Sequence, residues 1–239
     1  MDQAGDQVAM DPTKLQFKSL DDWENVWKKG FSGWHIDFVD PFIQKYIDRL
    51  TGGNSGQHIL VPLCGRSLDL KWLVDQGHSV VGVEIYTGAV SGIFSDAGLS
   101  PKVTSPNNNL TLYEASEGRL KVFAGDMFAL TSDICGPFDC IWDKHSFGAI
   151  QPTDREKYVS VCQSLLKPQG RILMCALTYN QSEMRGPPFS ITTDLLKLNY
   201  GDGYGVEFLE SREPNNQKLK VMMKLSILEE GVHLLTKQN

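Results

Sequence analysis

The stretch between residues 58 and 84 constrains the fold more than any other part of the chain. The residues from His58 onward form an apolar run typical of a short strand, Cys64 and Gly65 mark a tight turn, and Ser67 is placed to cap a helix. A second apolar run, Ser79–Glu84, indicates the next strand and ends on a carboxylate about 20 residues after the glycine. This order of strand, glycine turn, helix and strand with a terminal carboxylate is typical of a nucleotide-binding βαβ unit.

Length, composition and charge limit the number of domains and the kinds of partner that this chain can have. The 239 residues fit one α/β domain, and 41% of them are apolar, which is enough for a sizeable core. A net charge of −6 without a basic block argues against nucleic acid or an anionic membrane as partner. No run approaches the roughly 18 apolar residues of a spanning helix, and the first residues lack the pattern of a signal peptide. We therefore expect a cytoplasmic protein, and its small size and acidic surface suit a monomer.

The cysteines form no CxxC pair and no Cys/His cluster at metal spacing, so we expect no metal site. Most lie inside apolar segments and are expected to be reduced and structural. Cys64 lies in the turn that would face a ligand, and a nucleophilic role for it is the less favoured alternative. The five cysteines are Cys64, Cys135, Cys140, Cys162 and Cys175.

The N-terminal part divides into a tail and a lid. Residues 1–18 are polar and aperiodic and are expected to form a mobile tail, and residues 19–239 one domain that begins with a lid and a helix over 19–50. Ser19 and Asp22 have the spacing of a helix capping box. Three tryptophans follow within this segment: Trp23, Trp27 and Trp34. They either patch the domain surface or form a lid that excludes water from a bound ligand.

The remaining pattern predicts alternating strands and helices, hence a mostly parallel sheet between two helical layers. Residues 98–109 are expected to be a loop, and the chain closes with two antiparallel strands, 206–212 and 219–228, joined by a turn at 213–216. By fold analogy this is the three-layer, Rossmann-like, seven-stranded sheet of S-adenosyl-L-methionine (SAM) methyltransferases, with its C-terminal antiparallel hairpin. The other predicted strands are 110–115, 119–124, 137–143 and 171–177.

Ligands of open α/β sheets bind beyond the carboxyl ends of the strands. Gly65 stands alone there, without the three-glycine pattern that holds a pyrophosphate, so a dinucleotide oxidoreductase is disfavoured. Glu84 is placed to accept from ribose hydroxyls, although it could be a solvated or capping carboxylate. Asp126 could accept from an adenine amino group, with Met127 against the ring; its alternative is a helix cap.

Methyl transfer from a sulfonium needs little acid–base chemistry, because the donor carries its own leaving group. Asp143 is interpreted either as a carboxylate oriented towards the sulfonium or as a cap. His145 and His35 are candidate proton acceptors for an acceptor of low acidity, against the commoner structural role of histidine.

The chain resembles the thiopurine S-methyltransferase family from Trp23 to Thr236. The order and spacing of several motifs carry this resemblance, and they are Trp23–Trp27, Pro62–Gly65 with Lys71 and Trp72, Gly77–Glu84, Ile141–Asp143 and Gly186–Phe189.

The resemblance implies a lid from Trp23 to Trp34 over SAM, with Trp23 and Trp27 nearest the cofactor. It implies that Leu63 and Glu84 contact SAM, Glu84 at the ribose, and that Asp126 and Met127 contact the adenine. Gly65, for its part, is expected at the cofactor because a glycine lets the backbone come close to a ligand. Trp34 and Lys144 fall where the family places a phenylalanine and an arginine beside cofactor and acceptor, and Pro188 is expected on the acceptor side. Lys144 offers a point charge instead of a planar guanidinium. The family has a further arginine on the acceptor side, later in the chain, that has no clear match in this sequence. Lys218 or Lys220 could substitute for it.

The resemblance implies a SAM-dependent S-methyltransferase that acts on a small aromatic or heterocyclic thiol of thiopurine type and releases S-adenosyl-L-homocysteine. Lys144, His145 and Asp143 are catalytic candidates, and none of them is firmly assigned. The alternatives are a methyltransferase of a halide, thiocyanate, a selenium compound or an amine, and a SAM-binding module without catalysis.

Overall fold

The structure is a computed structural model that describes residues 19–29, 35–107, 109–214, 220–221 and 223–238. The predicted tail, residues 1–18, lies outside the described residues, as do Trp34 and Lys218. In the part that is described, no helix is both long enough and apolar enough to cross a membrane.

Helices and strands alternate over most of the chain. The helices are α1 (Leu20–Lys28), α2 (Pro41–Thr51), α3 (Asp69–Asp75), α4 (Thr87–Asp96), α5 (Ser132–Cys135), α6 (Ser146–Ala149), α7 (Arg155–Leu165) and α8 (Thr193–Tyr200). The strands are β1 (His58–Val61), β2 (Ser79–Glu84), β3 (Lys102–Asn107), β4 (Leu110–Ala115), β5 (Leu120–Gly125), β6 (Phe138–Lys144), β7 (Leu166–Thr178), β8 (Tyr204–Arg212) and β9 (Glu229–Lys237).

One sheet contains all nine of these strands, in the order β3-β4-β5-β2-β1-β6-β7-β9-β8. Strands β5, β2, β1, β6 and β7 are parallel neighbours, and β9 runs antiparallel to both β7 and β8. These seven strands confirm the predicted sheet with its antiparallel ending. The antiparallel strands β3 and β4 extend the sheet beyond β5.

Helices cover both faces of the sheet, which confirms the three-layer prediction. On one face α2, α3 and α4 pack on alternate strand residues such as Ile59 and Val61. On the other face α7 and α8 pack on the intervening residues, such as Leu60. The alternation follows from the two-residue period of a strand, because successive side chains point to opposite faces.

The turn, the helix and the second strand of the first βαβ unit are packed closely against one another. A Cβ atom at Gly82 in β2 would lie 2.7 Å from Leu70 Cδ2 and 2.9 Å from Cys64 Sγ, so glycine lets helix α3 and the turn approach the strand. The helix begins at Asp69 rather than directly after the predicted cap, although Ser67 Oγ accepts a hydrogen bond from Asp69 N at 3.1 Å. The predicted capping box of α1 is present.

Two sequence predictions near the sheet edges are wrong. The expected loop over 98–109 contains edge strand β3, whose residues are all exposed and therefore lack an apolar pattern. The last strand is Glu229–Lys237 and not 219–228, and the connection from β8 is correspondingly longer than the predicted turn at 213–216. The apolar side chains of Met223, Leu225 and Leu228 are instead buried in a small cluster with Leu177, Tyr179 and Met184.

Candidate active site

A cavity of about 470 Å³ opens where the parallel strands end. Its volume lies within the roughly 300–1,000 Å³ typical of small-molecule sites. The predicted site residues that line it are Trp23, Trp27, Leu63, Gly65, Glu84, Asp126, Met127, Lys144, His145 and Pro188, together with His35. Asp143 and Lys220 are not among the lining residues, and Trp34 lies outside the described residues.

Glu84 lies at the end of β2 and is 6% exposed. Its Oε2 accepts from Gly65 N and its Oε1 from Tyr86 N, both at 3.0 Å. Burial raises the pKa of Glu84, and the N–H groups of Tyr86 and Gly65 act in the opposite direction. Since each carboxylate oxygen can accept two hydrogen bonds, the side chain holds the turn and retains acceptor capacity towards the cavity.

The turn after β1 has an unusual backbone. Gly65 has a φ of +55° and Leu63 a φ of +42°, and the second value is uncommon for a residue with a side chain. A Cβ atom at Gly65 would lie 3.4 Å from the ring of Trp27. That ring stacks on Tyr86 with centroids 5.9 Å apart. Helix α1 therefore lies directly over the turn.

Asp126 and Met127 follow β5. Asp126 Oδ1 accepts from Phe128 N at 2.9 Å and so caps a short 3₁₀ helix over 127–129. Both residues also line the cavity, and Met127 is 5% exposed. The capping role and a ligand-facing position thus coexist at Asp126.

Asp143 has a structural environment. It is fully buried, its Oδ1 accepts from Ser146 N and Phe147 N at 2.9 and 3.1 Å, and its Oδ2 accepts from Tyr158 Oη at 2.7 Å. Burial raises the pKa of Asp143 to about 6, although these hydrogen bonds lower it. Of the two interpretations of this carboxylate, the geometry favours a cap at the start of α6.

Lys144 ends β6 and is held between two carboxylates. Its Nζ lies 3.3 Å from Asp40 Oδ2 and 3.9 Å from Asp69 Oδ2. Burial lowers the pKa of Lys144, but the two carboxylates outweigh it and the net shift is upward, so the amine stays charged. Asp40 caps α2 by accepting from Phe42 N, and Asp69 accepts from Asp40 N and Trp142 Nε1, each at 2.8 Å.

Sequence reasoning missed Arg212 and Glu230, which also line the cavity. Arg212 Nη2 lies 2.8 Å from Glu230 Oε2 and 3.5 Å from Asp40 Oδ1, and its guanidinium lies 3.8 Å from the centre of the Phe42 ring. Arg212 ends the predicted strand 206–212, and this strand-end position was the signal available. Glu230 offered none, because the final strand was placed too early in the chain.

His145 faces the same carboxylate. Its Nε2 lies 2.9 Å from Glu230 Oε1 and 3.5 Å from Cys175 Sγ. Burial would raise the pKa of Glu230, but His145 and Arg212 together lower it to about 2. The other histidine candidate, His35, also lines the cavity, and burial with the nearby Arg66 lowers its pKa.

Apolar side chains form the wall beside this charged group: Ile150, Leu177, Met184, Pro187, Pro188 and Met223. Cys64 at the cavity and Cys175 beside the His145 ring are buried thiols. Burial raises the pKa of both well above the ordinary value, so neither is a thiolate at neutral pH. This disfavours the nucleophilic alternative for Cys64.

The sheet order, the single-glycine turn and the buried carboxylate at the end of β2 define a SAM-dependent methyltransferase. The chain matches the family model of thiopurine S-methyltransferase (TPMT) over residues 18–238. The chain belongs to the thiopurine S-methyltransferase family.

Curated relatives agree with this assignment. A probable thiopurine S-methyltransferase of Danio rerio is 32% identical over 91% of this chain and 94% of its own length. The thiopurine S-methyltransferase of Bos taurus is 31% identical over 80% of this chain and 79% of its own, and that of Aliivibrio fischeri is 33% identical over 89% and 97%.

Solved structures share the fold at low identity. The 1,6-didemethyltoxoflavin-N1-methyltransferase of Burkholderia thailandensis, with bound S-adenosylhomocysteine, has a TM-score of 0.62 at 16% identity, covering 92% of this chain and 87% of that one. Phosphoethanolamine N-methyltransferase 2 of Haemonchus contortus, in complex with S-adenosyl-L-methionine, has a TM-score of 0.63 at 12% identity, covering 93% and 61%.

Proposed function

We propose that this protein transfers the methyl group of SAM to the sulfur of a small aromatic or heterocyclic thiol of thiopurine type and releases S-adenosyl-L-homocysteine. One observation carries the proposal: a single cavity joins the buried carboxylate at the end of β2 to an apolar wall beside Lys144, Arg212 and His145. One end suits an adenosine cofactor and the other a small apolar acceptor.

The residues of the first end fit SAM. Glu84 has acceptor capacity left for ribose hydroxyls, and Asp126 can accept from an adenine amino group. The thioether of Met127 suits contact with an aromatic ring. Trp23 and Trp27 on α1 cover the turn and keep water from the bound cofactor.

The residues of the second end suit a small thiol. Met184, Met223 and Leu177 are buried apolar side chains, and sulfur in an acceptor is similarly soft and weakly solvated. SAM supplies an activated methyl group, so the protein's task is to align the acceptor. Orientation effects can supply up to roughly 7–11 kcal/mol of the barrier.

Methyl-transfer assays with labelled SAM and a parallel acceptor panel test the proposal. We expect turnover with thiophenols and thiopurines, and weaker or no transfer to thiocyanate, iodide, selenide and amines. Faster transfer to one of the other nucleophiles would assign the acceptor differently. SAM binding without turnover on any of them would overturn the proposal in favour of a non-catalytic module.

The proposal includes a cytoplasmic monomer without membrane or nucleic-acid partners. The net charge of −6 supports the lack of a polyanionic partner. Size-exclusion chromatography with light scattering tests the oligomeric state, and a mass of twice 26.7 kDa would contradict it.

A further inference from the structure

The backbone of His145 is held in a conformation that residues with side chains rarely adopt. Its φ is +61°, in the left-handed region, between β6 and α6. Such a conformation is energetically unfavourable and persists only where the surroundings impose it, often at functional sites. Here His145 N donates to Cys175 O at 2.8 Å, and Asp143 caps the helix that follows. The ring is thereby fixed at the cavity wall.

The carboxylate of Glu230 lies 2.9 Å from Nε2 and favours the tautomer in which this nitrogen carries the proton. An ionised carboxylate only accepts hydrogen bonds, so Nε2 carries the proton in the neutral ring, and Nδ1 carries a lone pair. Among the described residues Nδ1 has no hydrogen-bond partner. The His145 side chain is 22% exposed, and the cavity is the space it borders.

We propose that His145 is a catalytic residue that accepts the proton of the acceptor thiol at Nδ1, with Glu230 as the positioning residue that orients the ring and stabilises the imidazolium. The inference rests on the proposed function and deepens it. It extends the acceptors from thiols that are already ionised at neutral pH to alkyl thiols, which are not.

The step balances without a further reactant. The S–H bond breaks, its proton moves to Nδ1 and its electron pair stays on the acceptor sulfur. That sulfur forms a bond to the methyl carbon of SAM while the bond from this carbon to the sulfonium breaks, and the released pair neutralises the leaving sulfur. The imidazolium then returns its proton to water.

The charges around the ring suit the imidazolium that this step forms. Lys144 at the end of β6, Arg212 on β8 and the carboxylates Asp40, Asp69 and Glu230 form a connected group. In this group two cations face three anions, and the buried carboxyl group of Asp143 also interacts electrostatically with His145. These surroundings favour a positive charge on the ring. Cys175, also beside the ring, stays a neutral thiol because burial raises its pKa.

A metal ion is the competing occupant of this group. The ligand atoms of His145, Cys175 and Glu230 lie within 4.8 Å of one another. However, Arg212 already donates to Glu230 from Nε and Nη2 at 3.0 and 2.8 Å, and burial keeps the Cys175 thiol protonated by raising its pKa. Both features oppose a cation, which needs a free carboxylate and a thiolate.

Two variants test the base without straining the backbone. Asparagine tolerates the left-handed region and glycine favours it, so His145→Asn and His145→Gly should both fold. His58→Gln is the control, because His58 lies at the opposite end of β1 and outside the cavity. The substrates are 4-nitrothiophenol, ionised at neutral pH, and 2-mercaptoethanol, which is not.

We expect kcat/KM for 2-mercaptoethanol to fall by at least about 100-fold in both His145 variants, the lower end of general-base effects. For 4-nitrothiophenol we expect less than about a 3-fold change, because its sulfur needs no base. Added imidazole should restore alkyl-thiol activity in His145→Gly, and Glu230→Gln should show the same selective loss with an altered pH profile. His58→Gln should match the unsubstituted protein with both thiols.

Equal losses with both thiols, or no loss with the alkyl thiol, would overturn the assignment. So would an unsubstituted protein that methylates 4-nitrothiophenol but no alkyl thiol, and this outcome would leave the proposed function intact. If the unsubstituted protein methylates neither thiol and no acceptor of the wider panel, the proposed function is refuted as well. Stoichiometric zinc binding that His145→Asn abolishes would favour the metal site instead.

Discussion

Replacing Glu84 by glutamine tests the cofactor end of the cavity with a change of one atom. In the structure each carboxylate oxygen accepts from one backbone N–H, from Gly65 and from Tyr86. Glutamine offers one oxygen and one NH₂ group, so one backbone donor would face another donor. The same NH₂ group can no longer accept from a ribose hydroxyl.

The expected magnitude follows from these contacts. A hydrogen bond to a charged group contributes about 1.5–3 kcal/mol. Loss of one such bond to SAM therefore predicts a Kd for SAM that rises by about 10- to 150-fold, since about 1.4 kcal/mol is a factor of ten. Because burial raises the pKa of Glu84, the folded protein disfavours the ionised carboxylate, and removal of this charge partly offsets the lost contact to the turn.

Isothermal titration calorimetry with SAM measures the affinity, and urea unfolding without SAM measures the stability of the same variant. Glu156→Gln, on the exposed first turn of α7, is the matched control and should bind SAM normally. A Kd for Glu84→Gln within about 2-fold of the unsubstituted protein would refute the ribose assignment, because a lost charged hydrogen bond costs more than that. An affinity loss that merely follows a loss of folded protein would refute it equally.

Two further predictions concern stability. Asp143→Asn can keep its contacts, with the amide donating to Tyr158. The pKa of Asp143 is about 6 in the folded protein, against an ordinary value of 3.8. The stability that this carboxyl group contributes is therefore fully present below about pH 4 and is lost as the pH rises through 6. The unfolding free energy of the unsubstituted protein should therefore fall by about 3 kcal/mol relative to the variant between about pH 4 and 7, and an unchanged difference between the two proteins in urea unfolding would contradict this. Arg212→Met should cost about 3 kcal/mol, because it removes the guanidinium that donates two hydrogen bonds to buried Glu230. Lys45→Met, at an exposed ion pair, should change little in the same urea assay, and equal losses would show that the buried pair is not special.

The cofactor end of the fold could be predicted because local signals determine it. The strand Ser79–Glu84 is confirmed to the residue, since its apolar run is bounded by polar residues and is buried on both faces. The carboxyl ends of parallel strands all lie on the same side of the sheet. The positions of Gly65, Glu84 and Asp126 therefore followed from the order of elements alone.

The last strand could not be located by the same reasoning. The apolar segment 219–228 has the stronger strand pattern, whereas β9 begins with Glu229 and Glu230. In the structure, however, it is the segment from Glu229 that pairs with β7. The antiparallel register runs from Thr178 opposite Glu229 to Arg171 opposite Thr236. Hydrophobicity predicts that a segment is buried, but it does not specify the strand that will pair with it.

This difference explains why the two ends of the cavity are not equally predictable. The cofactor end is built from strand ends whose register is set within the parallel core. The acceptor end takes Arg212 from β8 and Glu230 from β9, so it depends on an antiparallel register that only the packed sheet fixes. Lys144 and Arg212 are each held by carboxylates from other elements, and their charges are largely balanced before any acceptor binds. A substitution at this end can therefore change the acceptor while Glu84 and the turn remain intact, and chains with the same cofactor motifs can differ in the nucleophile they methylate.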